Sequence, residues 1–537
     1  MSDNKKKVNN KANIAKSSIK MSIVTSISRI FGLVRDQIQA ILLGTTFIAD
    51  SFTIGFILPN LLRRLFAEGN MVASFIPVFT EVSKEKGDEY SKKFFRDIFS
   101  ILSIILIFIV IIGMLISPLL VRILYKSAEN NIEALNLAST LSKIMFPYLL
   151  FISLAALMQG VLNSNGFYSI SAASPILLNI VIISISLVYY FFIPKIFDNI
   201  SYVFSIAVLI GGVVQFVYQI PFVKRLGFSF RPSFDIKDFY VRKMIKLFIP
   251  GIFGASIYQI NLLVSTAFAG YIGEGRVSAI TFANRIHEFI LGVFAVSIAT
   301  VMLPTLSKLI SNKENEEANN TLIYSLRLIA IITIPATFGI FILSKEIVMI
   351  IFQYGAFSKE STELVSNALK FLSISLFFIA SYRIIVQSFY AMKDMKTPVY
   401  IAFFSFIINL FSNYLCVYIF KFDIIGIALS SICSNIISFF VLYLILIKKM
   451  NISFKILDSS LFDVFKTILS SIIMFFVVFF LKKYLLDFND FRIIFIIKFF
   501  IIILIAIIIF VSLNIILKNS DFISLFSILK RKIYKIK

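Results

Sequence analysis

A chain of 537 residues with 59% hydrophobic and 15% charged residues, at a mean hydropathy of +0.93, falls outside the composition of soluble domains, which are about a quarter charged. The formal charge of +23 would suit a nucleic-acid binder, but the basic residues sit in short loops beside apolar runs, where membrane topology places them, so no nucleic-acid partner is expected. The two cysteines, Cys416 and Cys433, lie inside apolar runs, which argues against a disulfide framework or a Cys-based metal site.

In chain order, residues 1–20 form a Lys- and Asn-rich tail with no short apolar segment or small-residue cleavage site, so the tail is expected to be retained. Apolar runs of about 18 to 25 residues follow, long enough at about 1.5 Å per residue to cross about 30 Å of hydrocarbon. They predict about fourteen spans, near 21–44, 46–69, 97–119, 139–163, 171–193, 200–221, 245–270, 277–305, 320–343, 364–390, 398–420, 424–447, 460–481 and 493–517. An even count puts both termini on one side. The basic tails at 1–20 and 518–537, the loop with Lys84, Lys86, Lys92, Lys93 and Arg96, and the 222–244 linker with Lys224, Arg225, Arg231, Lys237, Arg242 and Lys243 all predict a cytoplasmic face. Lys482, Lys483 and Arg492 in the last interspan loop do not fit that pattern.

The chain also repeats. Ile30-Phe31-Gly32 recurs as Ile252-Phe253-Gly254, each with Gln five residues after the Gly (Gln37, Gln259). At a nearly equal offset, the segment after span 4 (Asn163 to Pro175) resembles that after span 10 (Tyr390 to Pro398). The expected organisation is a six-helix half at 21–221, a cytoplasmic linker at 222–244, a second six-helix half at 245–447 and two further helices at 460–517. Six being even, the halves insert in the same orientation, with a site between them.

Ionisable groups at mid-bilayer depth cost about 2.5 to 3.5 kcal/mol on insertion scales and are expected to face protein or a wet cavity. Span 1 carries Arg29, Arg35 and Asp36; span 2 carries Asp50, Asn60, Arg63, Arg64 and Glu68; span 8 carries Arg285, His287 and Glu288. At 100° per residue Arg29 and Asp36 share a face and Arg35 points elsewhere unless Gly32 bends the helix. Arg64 with Glu68, and Arg285 with Glu288, have the spacing of ion pairs. The remaining excess of guanidinium, in a chain where Lys outnumbers Arg by about 37 to 15, favours a phosphate-bearing ligand, because guanidinium matches phosphate oxygens bidentately. His287, the single histidine, is read as an interior residue rather than a proton switch; Lys143 and Arg383 could line a cavity or snorkel. No metal-ligand spacing, phosphate loop or nucleophile elbow is present, so an ATPase or hydrolase is not expected.

The stretches SRIFGLVRD (28–36), ADSF (49–52), LPNLLRRLFAEG (58–69), FANR (282–285), LPTLSK (303–308), FQYGAF (352–357) and FYAMKDMKTPV (389–399) resemble the signatures of MurJ/MviN-type lipid II flippases, of the multidrug/oligosaccharidyl-lipid/polysaccharide exporter superfamily. The resemblance implies an all-α membrane protein, two six-helix pseudo-repeats in a V-shaped alternating-access transporter plus two C-terminal helices. Its substrate would be lipid II, moved from the cytoplasmic to the outer leaflet of a bacterial inner membrane for peptidoglycan synthesis. The resemblance assigns substrate binding to Arg29, Arg35, Asp36, Arg63 and Arg285, and a lipid-tail groove to 460–517. Asp50, Asn60, Arg64, Glu68, Asn163 and Glu288 are expected to support the cavity or a gate. The implied partners are lipid II, membrane lipids and the cell-wall synthesis machinery; no cofactor is expected beyond a coupling ion, sodium or chloride, for which no complete site is matched. Ile290 stands where family members often carry Pro, and His287 is unusual there. Rival readings are a lipid-linked oligosaccharide flippase or cation-coupled drug exporter of the same superfamily, a membrane polymerase and a non-transporting scaffold. The exporter calls for an acidic cavity and the polymerase for a large outer loop with carboxylates.

Overall fold

A computed structural model describes residues 24, 27–67, 70–193, 196–197, 199–452, 454–487 and 491–523. Among the described residues every regular element is helical, with no strand, as a chain must be whose backbone polar groups are satisfied inside lipid without a closed barrel. Among the described residues ten helices are long and apolar enough to cross a membrane. The remaining four predicted spans are also helical: α1 (27–43), α2 (Phe47–Phe66), α9 (Phe239–Ile272) and α10 (Arg276–Ser311). Three of these four hold the candidate charges.

The described residues fall into two compact units, one reaching Ser278 together with Tyr354–Ser358, the other made of Ala279–Gln353 and the chain from Lys359 onward. In the first unit, α1 and α2 are followed by α3 (Asn70–Glu85), α4 (Gly87–Leu124), α5 (Ile132–Met145), α6 (Tyr148–Ser164), α7 (Tyr168–Phe192), α8 (Ile200–Arg225) and α9. The α3 helix occupies what the sequence reading takes as a loop. Met71, Phe75, Val78, Phe79 and Val82 recur at helical spacing and are buried, an amphipathic period too short and polar to read as a span. α5 and α6 form one crossing broken at Pro147, whose ring cannot donate the helical hydrogen bond. Leu43, Ala49, Phe52, Leu141, Tyr148, Ile182 and Phe204 form the core, and Gly55 lets α2 lie against α5, since a Cβ there would sit 2.9 Å from the Ala138 carbonyl. α9 packs on α2, α3 and α4, so it groups with the first unit although the repeat pattern assigns it to the second half.

The second unit holds the rest of α10, then α11 (Asn315–Phe352), α12 (Lys359–Leu372), α13 (Leu376–Ala391), α14 (Lys396–Tyr414), α15 (Ile424–Met450), α16 (Phe454–Leu485) and α17 (Arg492–Ile516). α12 and α13 form one crossing interrupted by a 3₁₀ turn, Ser373–Ser375. α11 is its spine, packing on α12, α13 and α16. The α16–α17 hairpin is fastened to α11 at one end by Lys482, whose Nζ lies 3.0 Å from Glu346 Oε2 and 2.9 Å from the Ile342 carbonyl, and by Arg492, which donates to the Gln353 and Met349 carbonyls. At its other end Arg327 of α11 pairs with Asp521 at 2.9 Å. Two of the three cations that break the basic-loop pattern therefore have structural work: Lys482 neutralises a fully buried carboxylate and Arg492 caps a helix C-terminus.

Candidate functional site

Each unit carries its own set of candidate groups. On α1, Arg35 does not point away from Asp36. Its Nε and Nη2 donate to Asp36 Oδ1 at 3.0 and 2.6 Å, and its Nη1 donates to Asn179 Oδ1 on α7 at 3.1 Å. The helical-wheel expectation fails here because it follows Cβ directions, whereas the long Arg side chain folds back onto its neighbour. Asn179 Nδ2 in turn donates to the Ser28 carbonyl, close to Gly32. Arg29 is half-buried and has no acidic partner among the described residues.

On α2, Asn60 accepts from Arg63 Nε at 2.9 Å. Arg64 reaches α9, where Gln259 accepts from its Nη1 at 3.2 Å; this is the glutamine marked by the repeat. The expected partner Glu68 lies outside the described residues. Asn163, at the end of α6, accepts from Ser171 Oγ at 2.6 Å and so ties the turn between α6 and α7.

Asp50 is fully buried in the first turn of α2 and answers none of the arginines. Its Oδ2 accepts from Gly275 N at 2.6 Å, and its Oδ1 from both the backbone N–H and the hydroxyl of Ser278 at 2.7 Å. Glu274 accepts from Phe47 N at 2.9 Å, completing a clasp between the α9–α10 turn and the start of α2. The backbones come so close that a Cβ on Gly275, at φ +80°, would lie 2.5 Å from the Thr45 carbonyl. The segment 354–358 joins the same cluster: Ala356 N donates to the Ile41 carbonyl at 2.8 Å, and a Cβ on Gly44 would meet the Ala356 carbonyl at 2.5 Å. Sequence reasoning singled out Asp50 but missed Gly275, Ser278 and Asn179, because their partners are remote in sequence. A polar Asn179 within an apolar run was the available signal.

In the second unit Arg285 is half-buried on α10. Glu288 accepts from Arg383 Nη2 through both carboxylate oxygens, at 3.1 and 3.2 Å, so Arg383 of α13 takes a place in the charge pattern that spacing alone did not give it. His287 is buried, and Thr337 donates to the Ser373 carbonyl, where the 3₁₀ turn at the α12–α13 break disturbs the helical ladder.

The family model described as Lipid II flippase MurJ matches residues 39–500. The chain belongs to the MurJ family. MurJ relatives include the probable lipid II flippase of Buchnera aphidicola subsp. Baizongia pistaciae, 34% identical over 432 residues, covering 80% of this chain and 83% of that protein. The lipid II flippase MurJ of Burkholderia cenocepacia is 30% identical over 409 residues, with 75% and 78% covered. A solved MurJ structure in an inward closed conformation superposes with a TM-score of 0.77 at 28% identity, covering 93% of this chain and 99% of that one. An inward-facing multidrug transporter of the MATE family matches at 0.65 and 14% identity, which speaks for the fold alone. MurJ membership makes this multi-pass chain a transporter and not an enzyme. Arg29, Arg35 and Asp36 precede the stretch matched by the MurJ model, whereas Arg63 and Arg285 lie within it.

Proposed function

We propose that this chain moves lipid II from the cytoplasmic to the outer leaflet of the inner membrane by alternating access, with both termini cytoplasmic. In this reading Arg29, Arg35, Arg63 and Arg285 receive the pyrophosphate, Asp36 and Asn179 orient Arg35, and the α16–α17 hairpin offers its apolar surface to the lipid tail. Family membership supports the substrate. The observation that carries the site is the balance of charge: Arg29 has no acidic partner among the described residues, and buried Asp50 is consumed by backbone and hydroxyl donors. A guanidinium without an acidic partner keeps its charge for an anionic ligand, and its planar donors fit paired phosphate oxygens.

The Asp50 clasp adds a constraint on motion. Any outward opening that separates α2 from the start of α10 must release the three hydrogen bonds that this carboxylate accepts. A cationic ligand would call for the opposite charge pattern, which counts against a drug exporter of cations.

The test is depletion of the protein from its own cells, followed by an externally added enzyme that cleaves the lipid II headgroup. Protected precursor should accumulate, and cleavage should return with the wild type but not with Arg285→Ala. Unchanged cleavage on depletion, in cells shown to have no second flippase, would overturn the substrate assignment.

A further inference from the structure

The chain between α8 and α9 is built as a strap with two unlike sides. Its inner side is fixed to α3 and α4. Phe228 and Phe230 pack on Phe95 and Phe99 with ring centroids 5.3 and 5.0 Å apart, Ser233 N donates to Ser100 Oγ at 3.1 Å, and Lys93 pairs with Asp235 at 2.8 Å. Tyr90 donates to Asp238, and Tyr240 donates to Glu85 at 2.7 Å. These bonds leave the opposite side outward. There Phe234, Ile236 and Phe239 are 54, 58 and 67% exposed, and the exposed cations Arg231, Lys237 and Arg242 stand before, among and after them in the chain. Arg242 donates to the Ile236 carbonyl, which holds its guanidinium over the strap.

Three large apolar side chains held open to solvent by a well-bonded backbone are a costly arrangement unless something covers them. The strap's height on α4 indicates what does. Ser100, bonded to Ser233, is one helical turn, about 6 Å, from Ile104 and Ile105, where the exposed apolar face of α4 begins. On the other flank Leu247 and Ile249 of α9 are about half exposed. Phe234 and its neighbours therefore lie at the edge of the hydrocarbon, where interfacial segments place aromatic and aliphatic side chains below a basic face.

We propose that this strap docks on anionic phospholipid headgroups of the adjoining leaflet, with Phe234, Ile236 and Phe239 entering the interface and Arg231, Lys237 and Arg242 meeting the phosphates. Charge complementarity selects anionic over neutral lipid. Because the strap is bonded to α3 and α4, the docking anchors the first unit to the membrane surface and ties that unit to lipid composition.

The chain contains no tryptophan but 21 tyrosines, so Phe234→Trp supplies a single tryptophan in the full-length protein, excited at the red edge where tyrosine does not absorb. It is reconstituted in vesicles of phosphatidylcholine alone or of phosphatidylcholine with phosphatidylglycerol, each also prepared with lipids brominated on the upper acyl chain. Emission should be blue-shifted and quenched by the brominated lipid, more strongly with phosphatidylglycerol present. Arg231→Gln and Lys237→Gln should each lower that preference by about fivefold. Ile236→Trp, read in the same way, serves if Phe234→Trp does not fold. Emission at the position of water-exposed tryptophan, quenched by aqueous iodide equally in both vesicles, would overturn the proposal. So would shielding in native membranes that is absent from every vesicle, since a protein would then be the occupant.

Discussion

Asp50 illustrates how one buried carboxylate can be stable inside an apolar protein without a cation: three donors converge on its two oxygens. Asp50→Asn keeps one acceptor oxygen and turns an amide donor toward donors already there, so it should cost about 1 to 3 kcal/mol. The purified Asn variant should unfold at a lower temperature than Glu274→Gln, which retains an acceptor for Phe47 N. Melting of the Asp50→Asn variant at the wild-type temperature would show that the clasp contributes nothing. Asn179 acts at the same scale, holding one arm of Arg35 at 3.1 Å. Removing that bond in Asn179→Ala should cost about 1 kcal/mol, or about fivefold in affinity for a lipid pyrophosphate. Titration of the purified protein with such a lipid checks this, and an unchanged affinity would detach Asn179 from the site. None of this geometry was available from the residues one at a time. The arginines and acids stood out because charge is costly in a bilayer, but whether Arg35 meets Asp36 depends on side-chain reach, and the donors to Asp50 come from more than 220 residues away.

Among the elements, those most legible were the ones whose apolar runs match the bilayer, such as α7, α8 and α17; less legible were elements set by contacts. α3 is amphipathic and reads as a loop to any search for long apolar runs. The breaks in α5–α6 and α12–α13 differ in the same way: Pro147 announces the first, while the second is a 3₁₀ turn at Ser373–Ser375 that takes a donor from a neighbouring helix. Element junctions also yield two predictions. Asp394 caps the start of α14, accepting from Lys396 N, Thr397 N and the Thr397 hydroxyl, with Lys449 Nζ at 2.5 Å. The Lys449 ammonium first, and then the Thr397 hydroxyl, hold its carboxyl well below the usual aspartate range. Folding therefore favours the charged form. Its contribution is full above the ordinary aspartate pKa and is lost as pH falls through the lowered folded value. Asp394→Ala should cost about 1 kcal/mol near neutrality, and the gap in melting temperature from wild type should close in acid; a gap independent of pH would contradict the ionised cap. The second concerns Lys482 and the fully buried Glu346. Lys482→Met strands a buried carboxylate and should destabilise by about 3 to 5 kcal/mol, while adding Glu346→Leu should recover most of the loss. Thermal unfolding of the single and double variants decides it, and additive losses would mean that the two side chains do not act as a pair.

For the molecule as a whole, the distribution of charge between the two sides of the membrane is the property that the sequence expressed most directly and the one that Lys482, Lys483 and Arg492 disturb. With Lys482 engaged by Glu346 and Arg492 by the carbonyls at the end of α11, two of the three cations have local structural partners, which accounts for their place in a loop expected to face outward. Exposed loop residues then decide orientation, since basic segments near span ends are retained in the cytoplasm. Cys416 and Cys433 are the only cysteines, so replacing both with Ser gives a background in which one added thiol reports the side it occupies. Lys86→Cys precedes α4 and Asn130→Cys lies between α4 and α5, at opposite ends of a 38-residue helix, about 57 Å at its ordinary rise, long enough to cross the bilayer with a turn or more to spare. A maleimide that cannot cross the membrane should label Asn130→Cys in intact cells, and Lys86→Cys only after permeabilisation. The reversed pattern would place the strap and the termini outside and would require the transport direction proposed here to be redrawn, because the basic face would then meet the outer leaflet.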